Sequence, residues 1–125
     1  MRSNKPKILI VDDEKGFTKL TKLALADYEI CEENNSNRAL ETARRFKPDL
    51  ILLDVVMPDL DGGDIAAQIH AEPSLKGVPI VFLTAIVTEK ETEKRQLFGG
   101  YPFISKPVTP EKLVEGIEKY LSLNQ

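Results

Sequence analysis

Four stretches of this 125-residue chain run from apolar sequence directly into residues that can do chemistry. KILIV leads into Asp12-Asp13-Glu14, DLILL into Asp54, IVFL into Thr84-Ala85, and the run containing FIS into Ser105-Lys106-Pro107. Carboxylates crowded at one mouth repel each other and lose hydration, and a hard divalent cation with oxygen ligands relieves both costs. Mg²⁺ is the expected ion, with Mn²⁺ as the alternative, held by Asp12 or Asp13 together with Asp54 and completed by water. A carboxylate can also take a phosphoryl group as a covalent acyl phosphate. Such a transfer needs positioning and charge neutralisation rather than elaborate acid–base machinery. Lys106 and the metal would supply the positive charge, and the Thr84 hydroxyl is a donor suited to a new phosphoryl oxygen.

For these residues to meet, the chain must bring distant strand ends to one edge. Short apolar runs alternate with amphipathic stretches throughout, the signature of a parallel sheet covered by helices on both sides. The strand candidates are Lys7–Val11, Glu29–Glu33, Leu50–Leu53, Ile80–Leu83 and Phe103–Ile104. The first, third and fourth are rich in Ile, Val and Leu and read as central strands. YEICEEN is more polar, and YPFIS carries Pro102, which lacks a backbone donor, so both read as edges. Helical spacing relates Phe17, Leu20 and Ala24, then Ala39, Leu40 and Ala43, then Ile65 and Ile69, then Leu113, Ile117 and Tyr120. Ser36 or Asn37 can open the second helix, and Thr109-Pro110-Glu111 the fifth. The fourth helical segment, TEKETEKRQL, is almost wholly charged, with Val87 and Leu97 as its apolar positions, and is expected to be the least firmly held. In a sheet of this kind ligands bind where strand order reverses, outside the carboxyl ends of the strands.

Composition narrows the field. One domain spanning residues 1–125 accounts for the length and can bury most of its apolar surface without disulfides or a structural metal. A net charge of −3 with both signs intermixed argues against a grip on nucleic acid. The single cysteine, Cys31, cannot close an internal disulfide, and MRSNKPK lacks the apolar stretch of a secretory signal. No apolar run has the length to span a bilayer, so a cytoplasmic protein with no membrane partner is expected.

Taken together, VDDE, LLDVVMPDLDG, FLTA and FISKP resemble, in this order and spacing, the response-regulator receiver domains of two-component and phosphorelay signalling. Each piece alone is common, and the resemblance rests on the set, which covers essentially the whole chain. It implies a flavodoxin-like α/β fold: a doubly wound (βα)5 sandwich whose five-stranded parallel sheet has the order 2-1-3-4-5. It implies Asp54 as the phosphoacceptor, Asp12 and Asp13 as the acidic pair binding Mg²⁺ with the backbone carbonyl of Val56, and Lys106 as the phosphoryl-contacting lysine. Thr84 matches the switch hydroxyl, Phe103 the aromatic rotamer switch, and Met57-Pro58 with Asp61-Gly62 the turn after the acceptor. The implied role is a signalling switch rather than an enzyme. Its donor is a sensor histidine kinase or a histidine phosphotransfer protein, and its output a downstream protein or effector domain. The change passes through the surface of the fourth helix, fifth strand and fifth helix, which also serves a monomer or weak dimer.

Departures from the family pattern carry their own expectations. The positions two beyond the acceptor and two beyond the switch hydroxyl, polar in many receivers, are Val56 and Ile86, which predicts slow loss of the phosphoryl group. Phe103 replaces the frequent tyrosine, so switching rests on packing. Gly99-Gly100 and Pro102 give this loop an unusual backbone. Simpler roles exist for every residue singly: Asp12 and Asp13 as a helix cap, Thr84 as a strand-end hydroxyl, Lys106 as a solvated lysine, Phe103 as core. Lys15, Lys19 and Lys22 read as a solvated stripe before a docking face, His70 as inert, and Cys31 as a small buried hydrophobe. Among other functions, an aspartyl-phosphate phosphatase of the haloacid dehalogenase type would need a second aspartate where Val56 stands. A flavin mononucleotide carrier would not place Asp12-Asp13-Glu14 against a phosphate. A degenerate receiver that only docks partners is the remaining alternative.

Overall fold

The computed structural model describes residues 5–54, 62–84, 97–98, 101–105 and 109–123. Within them, the apolar runs become β1 (Lys7–Val11), β3 (Leu50–Asp54) and β4 (Ile80–Thr84). The polar run forms β2 (Glu29–Glu33), and YPFIS forms β6 (Tyr101–Ser105), preceded by a two-residue strand, β5 (Leu97–Phe98). Four helices alternate with them: α1 (Lys15–Ala24), α2 (Ala39–Phe46), α3 (Gly62–Ala71) and α4 (Pro110–Leu123).

The sheet order is β2-β1-β3-β4-β6-β5. All pairings from β2 to β6 are parallel, so the expected 2-1-3-4-5 order holds with β6 as the fifth unit's strand. β5 is an addition. It runs antiparallel to β6, with Leu97 opposite Pro102 and Phe98 opposite Tyr101. Two expectations change accordingly. Leu97 is a strand residue rather than the end of a helix, and YPFIS is flanked on both sides instead of forming the edge. Gly99-Gly100, between the two strands in sequence, lies outside the described residues. The rest of the expected fourth helix, 88–96, lies outside the described residues.

Alternation along the central strands splits the core into two layers. Leu9, Val11, Ile51, Leu53, Ile80 and Phe82 pack with Ala39 and Ala43 of α2 and Ile65, Ala66 and Ile69 of α3. Ile8, Ile10, Leu50, Leu52, Val81 and Leu83 pack on the other face with Leu25, which follows α1, and with Leu113 and Ile117 of α4. Every residue of β3 is buried, as a strand covered on both faces requires. The stripes on α2, α3 and α4 thus face the sheet as expected, whereas the side chains of Phe17, Leu20 and Ala24 fall outside the description. On α1 the described burial falls on Thr18 and Thr21.

Local chemistry fixes the helix ends. Asn35, one residue before the expected caps, accepts from the amide of Asn37 at 3.0 Å and opens a 3-10 turn, Ser36–Arg38, that leads into α2. α2 stops at Lys47, whose φ of 55° is left-handed and is followed by Pro48, which cannot continue a helix. Thr109 opens α4 as expected, its hydroxyl accepting from the Lys112 amide at 3.2 Å. No helix among the described residues is long and apolar enough to cross a membrane.

Candidate functional site

β1 leads through α1 to β2 on one side of the sheet, while β3 leads through α3 to β4 on the other. The carboxyl ends of β1 and β3 therefore sit side by side where strand order reverses, with Val11 registered opposite Leu53. Asp12 follows β1, and Asp54 closes β3 opposite Leu83. One carboxylate oxygen from each of Asp12, Asp13 and Asp54 can be chosen so that all three lie within 4.8 Å of one another. Asp12 is fully buried and Asp54 is 5% exposed, whereas Asp13 faces solvent.

Three anionic side chains this close repel strongly in a partly dry setting. Oxygens on one Mg²⁺ lie about 2.1 Å from it and so at most about 4.2 Å apart, a limit that modest side-chain rotation reaches from the observed spacing. All-oxygen carboxylate donors, two buried and one open to water, are the set a hard cation prefers. The acidic cluster expected from the sequence is thus assembled, and its chemistry fits a divalent ion.

The turn carrying the pair is held by its own backbone. The Asp12 amide donates to the Glu33 carbonyl at 3.0 Å, and Asp12 Oδ1 accepts from the Glu14 amide at 3.0 Å. Glu14, not either aspartate, occupies the N-cap of α1 and makes no side-chain cap bond. The simpler role of Asp12 and Asp13 as helix caps therefore does not account for them. Sequence reading passed over Asn34. Its Nδ2 donates to the Asp12 carbonyl at 2.8 Å and to Thr18 Oγ1 at 3.0 Å. The run Asn34-Asn35-Ser36-Asn37 was a sign of local hydrogen bonding, but a partner that is a backbone carbonyl leaves no trace in sequence.

The other expected site residues divide into two groups. Thr84 closes β4 opposite Ser105, and Phe103 lies on β6 opposite Phe82. Lys106 and the backbone carbonyl of Val56 lie outside the described residues, as does Ile86. Away from the mouth, Lys15, Lys19, Lys22 and His70 are exposed. Cys31 is half-buried rather than buried, and desolvation pushes its thiol pKa up, with Glu33 adding to the rise.

Comparison with known proteins agrees with this geometry. The chain is 29% identical over 116 residues to the polar-differentiation response regulator DivK of Brucella anthropi, covering 91% of this chain and 94% of that protein. It is 33% identical over 123 residues to the probable transcriptional regulator ycf27 of Pyropia yezoensis, covering 97% of this chain but 49% of that one, so it spans about half that relative's length. A CheY-like response regulator receiver structure from Methanospirillum hungatei superposes with a TM-score of 0.81 at 26% identity, covering 97% of each chain. Residues 8–118 match the response regulator receiver domain family, and the chain belongs to that family.

Proposed function

We propose that this receiver domain is a Mg²⁺-dependent phosphorylation switch in which Asp54 takes a phosphoryl group from a phosphohistidine on a sensor histidine kinase or phosphotransfer protein. The observation that carries the reading is the convergence of Asp12, Asp13 and Asp54 within 4.8 Å at the β1/β3 mouth. Asp12, Asp13 and Asp54 would hold the ion, with the Val56 carbonyl as a further ligand. Bound there, Mg²⁺ (or Mn²⁺) supplies positive charge against the phosphoryl oxygens and the acidic cluster. The Asp54 carboxylate oxygen forms the new P–O bond as the P–N bond of the donor breaks. The electron pair stays on the imidazole nitrogen, which takes up a proton. The Lys106 ammonium neutralises the transferred group, and the Thr84 hydroxyl donates to one of its oxygens. Phe103, one strand over, follows by repacking, and the surface built from segment 88–97, β6 and α4 passes the change to a downstream protein or effector domain. This surface also supports a monomer or weak dimer. The domain assists its own phosphorylation and slow dephosphorylation without turning over an external substrate, in the cytoplasm, with no direct contact to nucleic acid or membrane.

Incubation with acetyl phosphate and MgCl₂, followed by intact-mass measurement, tests the reading. The expected result is a gain of one phosphoryl mass that chelation abolishes and that Asp54→Asn lacks. An unchanged mass in the natural chain would overturn it in favour of a docking-only receiver. The same sample reports the lifetime: with Val56 and Ile86 at the positions that would orient water, decay is expected well beyond seconds, and complete loss within seconds would refute the slow-decay expectation.

A further inference from the structure

We infer that Asn34 is a positioning residue for the acidic site, a side-chain clamp that fixes the Asp12–Asp13 peptide against the first turns of α1. This inference rests on the metal-site reading above. The carbonyl of Asp12 belongs to the peptide linking the two aspartates, so its orientation sets how the Asp13 carboxylate is presented. Backbone pairing holds the amide side of Asp12, which donates to the Glu33 carbonyl at 3.0 Å. Asn34, the next residue along, takes the carbonyl side at 2.8 Å, so Asp12 is gripped from both sides by consecutive residues leaving β2.

The same amide nitrogen reaches a second element. Thr18 Oγ1 accepts from Asn34 at 3.0 Å and donates to the Lys15 carbonyl at 3.1 Å. Thr18 is fully buried, so its hydroxyl cannot exchange these partners for water without opening the site. An amide has two N–H groups on Nδ2, and here one goes to the acidic turn and the other to α1. Asn34 therefore ties the paired ends of β1 and β2 to the start of α1. Outer partners that orient the ligands of an ion commonly change its affinity about 10-fold to 100-fold when removed.

The test is a calorimetric titration of the whole chain with MgCl₂ at 25 °C, alongside thermal melts. Asn34→Leu keeps the bulk and removes both donors, and is expected to weaken Mg²⁺ binding about 10-fold while the fold persists. Thr18→Val removes only the α1 arm and is expected to weaken it less. Asn35→Ala is the control: it deletes the neighbouring cap, lowers the melting temperature, touches neither Asp12 nor α1, and is expected to leave Mg²⁺ affinity unchanged. Natural-like Mg²⁺ affinity in Asn34→Leu overturns the inference, as does equal weakening in Asn35→Ala, which would mark a general loss of stability. Failure of the natural chain to bind Mg²⁺ would instead sink the metal-site reading itself. If Asn34→Leu does not fold, Thr18→Val decides: weakened binding supports the clamp, and unchanged binding overturns it.

Discussion

At the scale of single residues, the mouth of the sheet brings three carboxylates within 4.8 Å of one another. Asp12 and Asp54 are withdrawn from water beside Asp13, and each pairwise repulsion opposes the folded state. A cation that binds only the folded chain offsets this by mass action, adding about 1.4 kcal/mol at ten times its dissociation constant. MgCl₂ is therefore expected to raise the melting temperature by a few degrees. Asp13→Asn should do two opposite things at once: raise the melting temperature of the metal-free chain, because a repulsion is gone, and shrink the increment that Mg²⁺ provides. Thermal melts with EDTA and with MgCl₂ measure both, and a metal-free variant less stable than the natural chain would count against strain among the carboxylates. The acids themselves were legible in the sequence because each terminates an apolar run. Asn34 was not, since nothing in residue type announces which of four adjacent cap-forming residues will reach a carbonyl on another strand.

Elements show the same division between what periodicity reveals and what it hides. The stripes on α2, α3 and α4 could be read because a helix shows one face to the sheet at a fixed spacing. β5 could not: two residues are too few to display a period, and the charged run before Leu97 reads as a helix. The capping side chain moved from Ser36 or Asn37 to Asn35, which opens the 3-10 turn ahead of α2, for a related reason, since Asn and Ser both cap well and only the trajectory out of β2 selects among the three positions. Close approach between elements is equally invisible. α4 lies so near β6 that a Cβ placed on Gly116 would stand 2.6 Å from Ile104 Cδ1. The close atom is the tip of a side chain that can turn aside, so the gain of up to about 1 kcal/mol that alanine normally gives over glycine in a helix is only partly offset. Gly116→Ala is expected to leave stability unchanged or slightly raised. Ile104→Val, which removes the close methyl, should let the double variant realise more of that gain. Urea unfolding of the cycle measures the coupling, and additive effects would show that the contact does not govern α4 docking.

For the molecule as a whole, the sheet's parallel core and its two helical layers follow from near-continuous apolar strands, which is why the architecture was foreseeable from sequence. The edges were less so. On one flank stands β2, carrying Glu29, Glu32 and Glu33; on the other, the hairpin partner of β6 is only two residues long. Unpaired strand edges invite pairing with another chain, and short length and charge are two ways of discouraging it. Replacing Glu29 and Glu32 by threonine is therefore expected to give concentration-dependent association, read by sedimentation velocity, and a variant that stays monomeric would show that charge is not the guard. The geometry also limits how far such association can go. With only one strand among those described long enough to recruit a neighbour, copies that join through β2 consume their sole open flank in doing so. Growth would end at a symmetric pair in which the two sheets become one, instead of extending as a fibre.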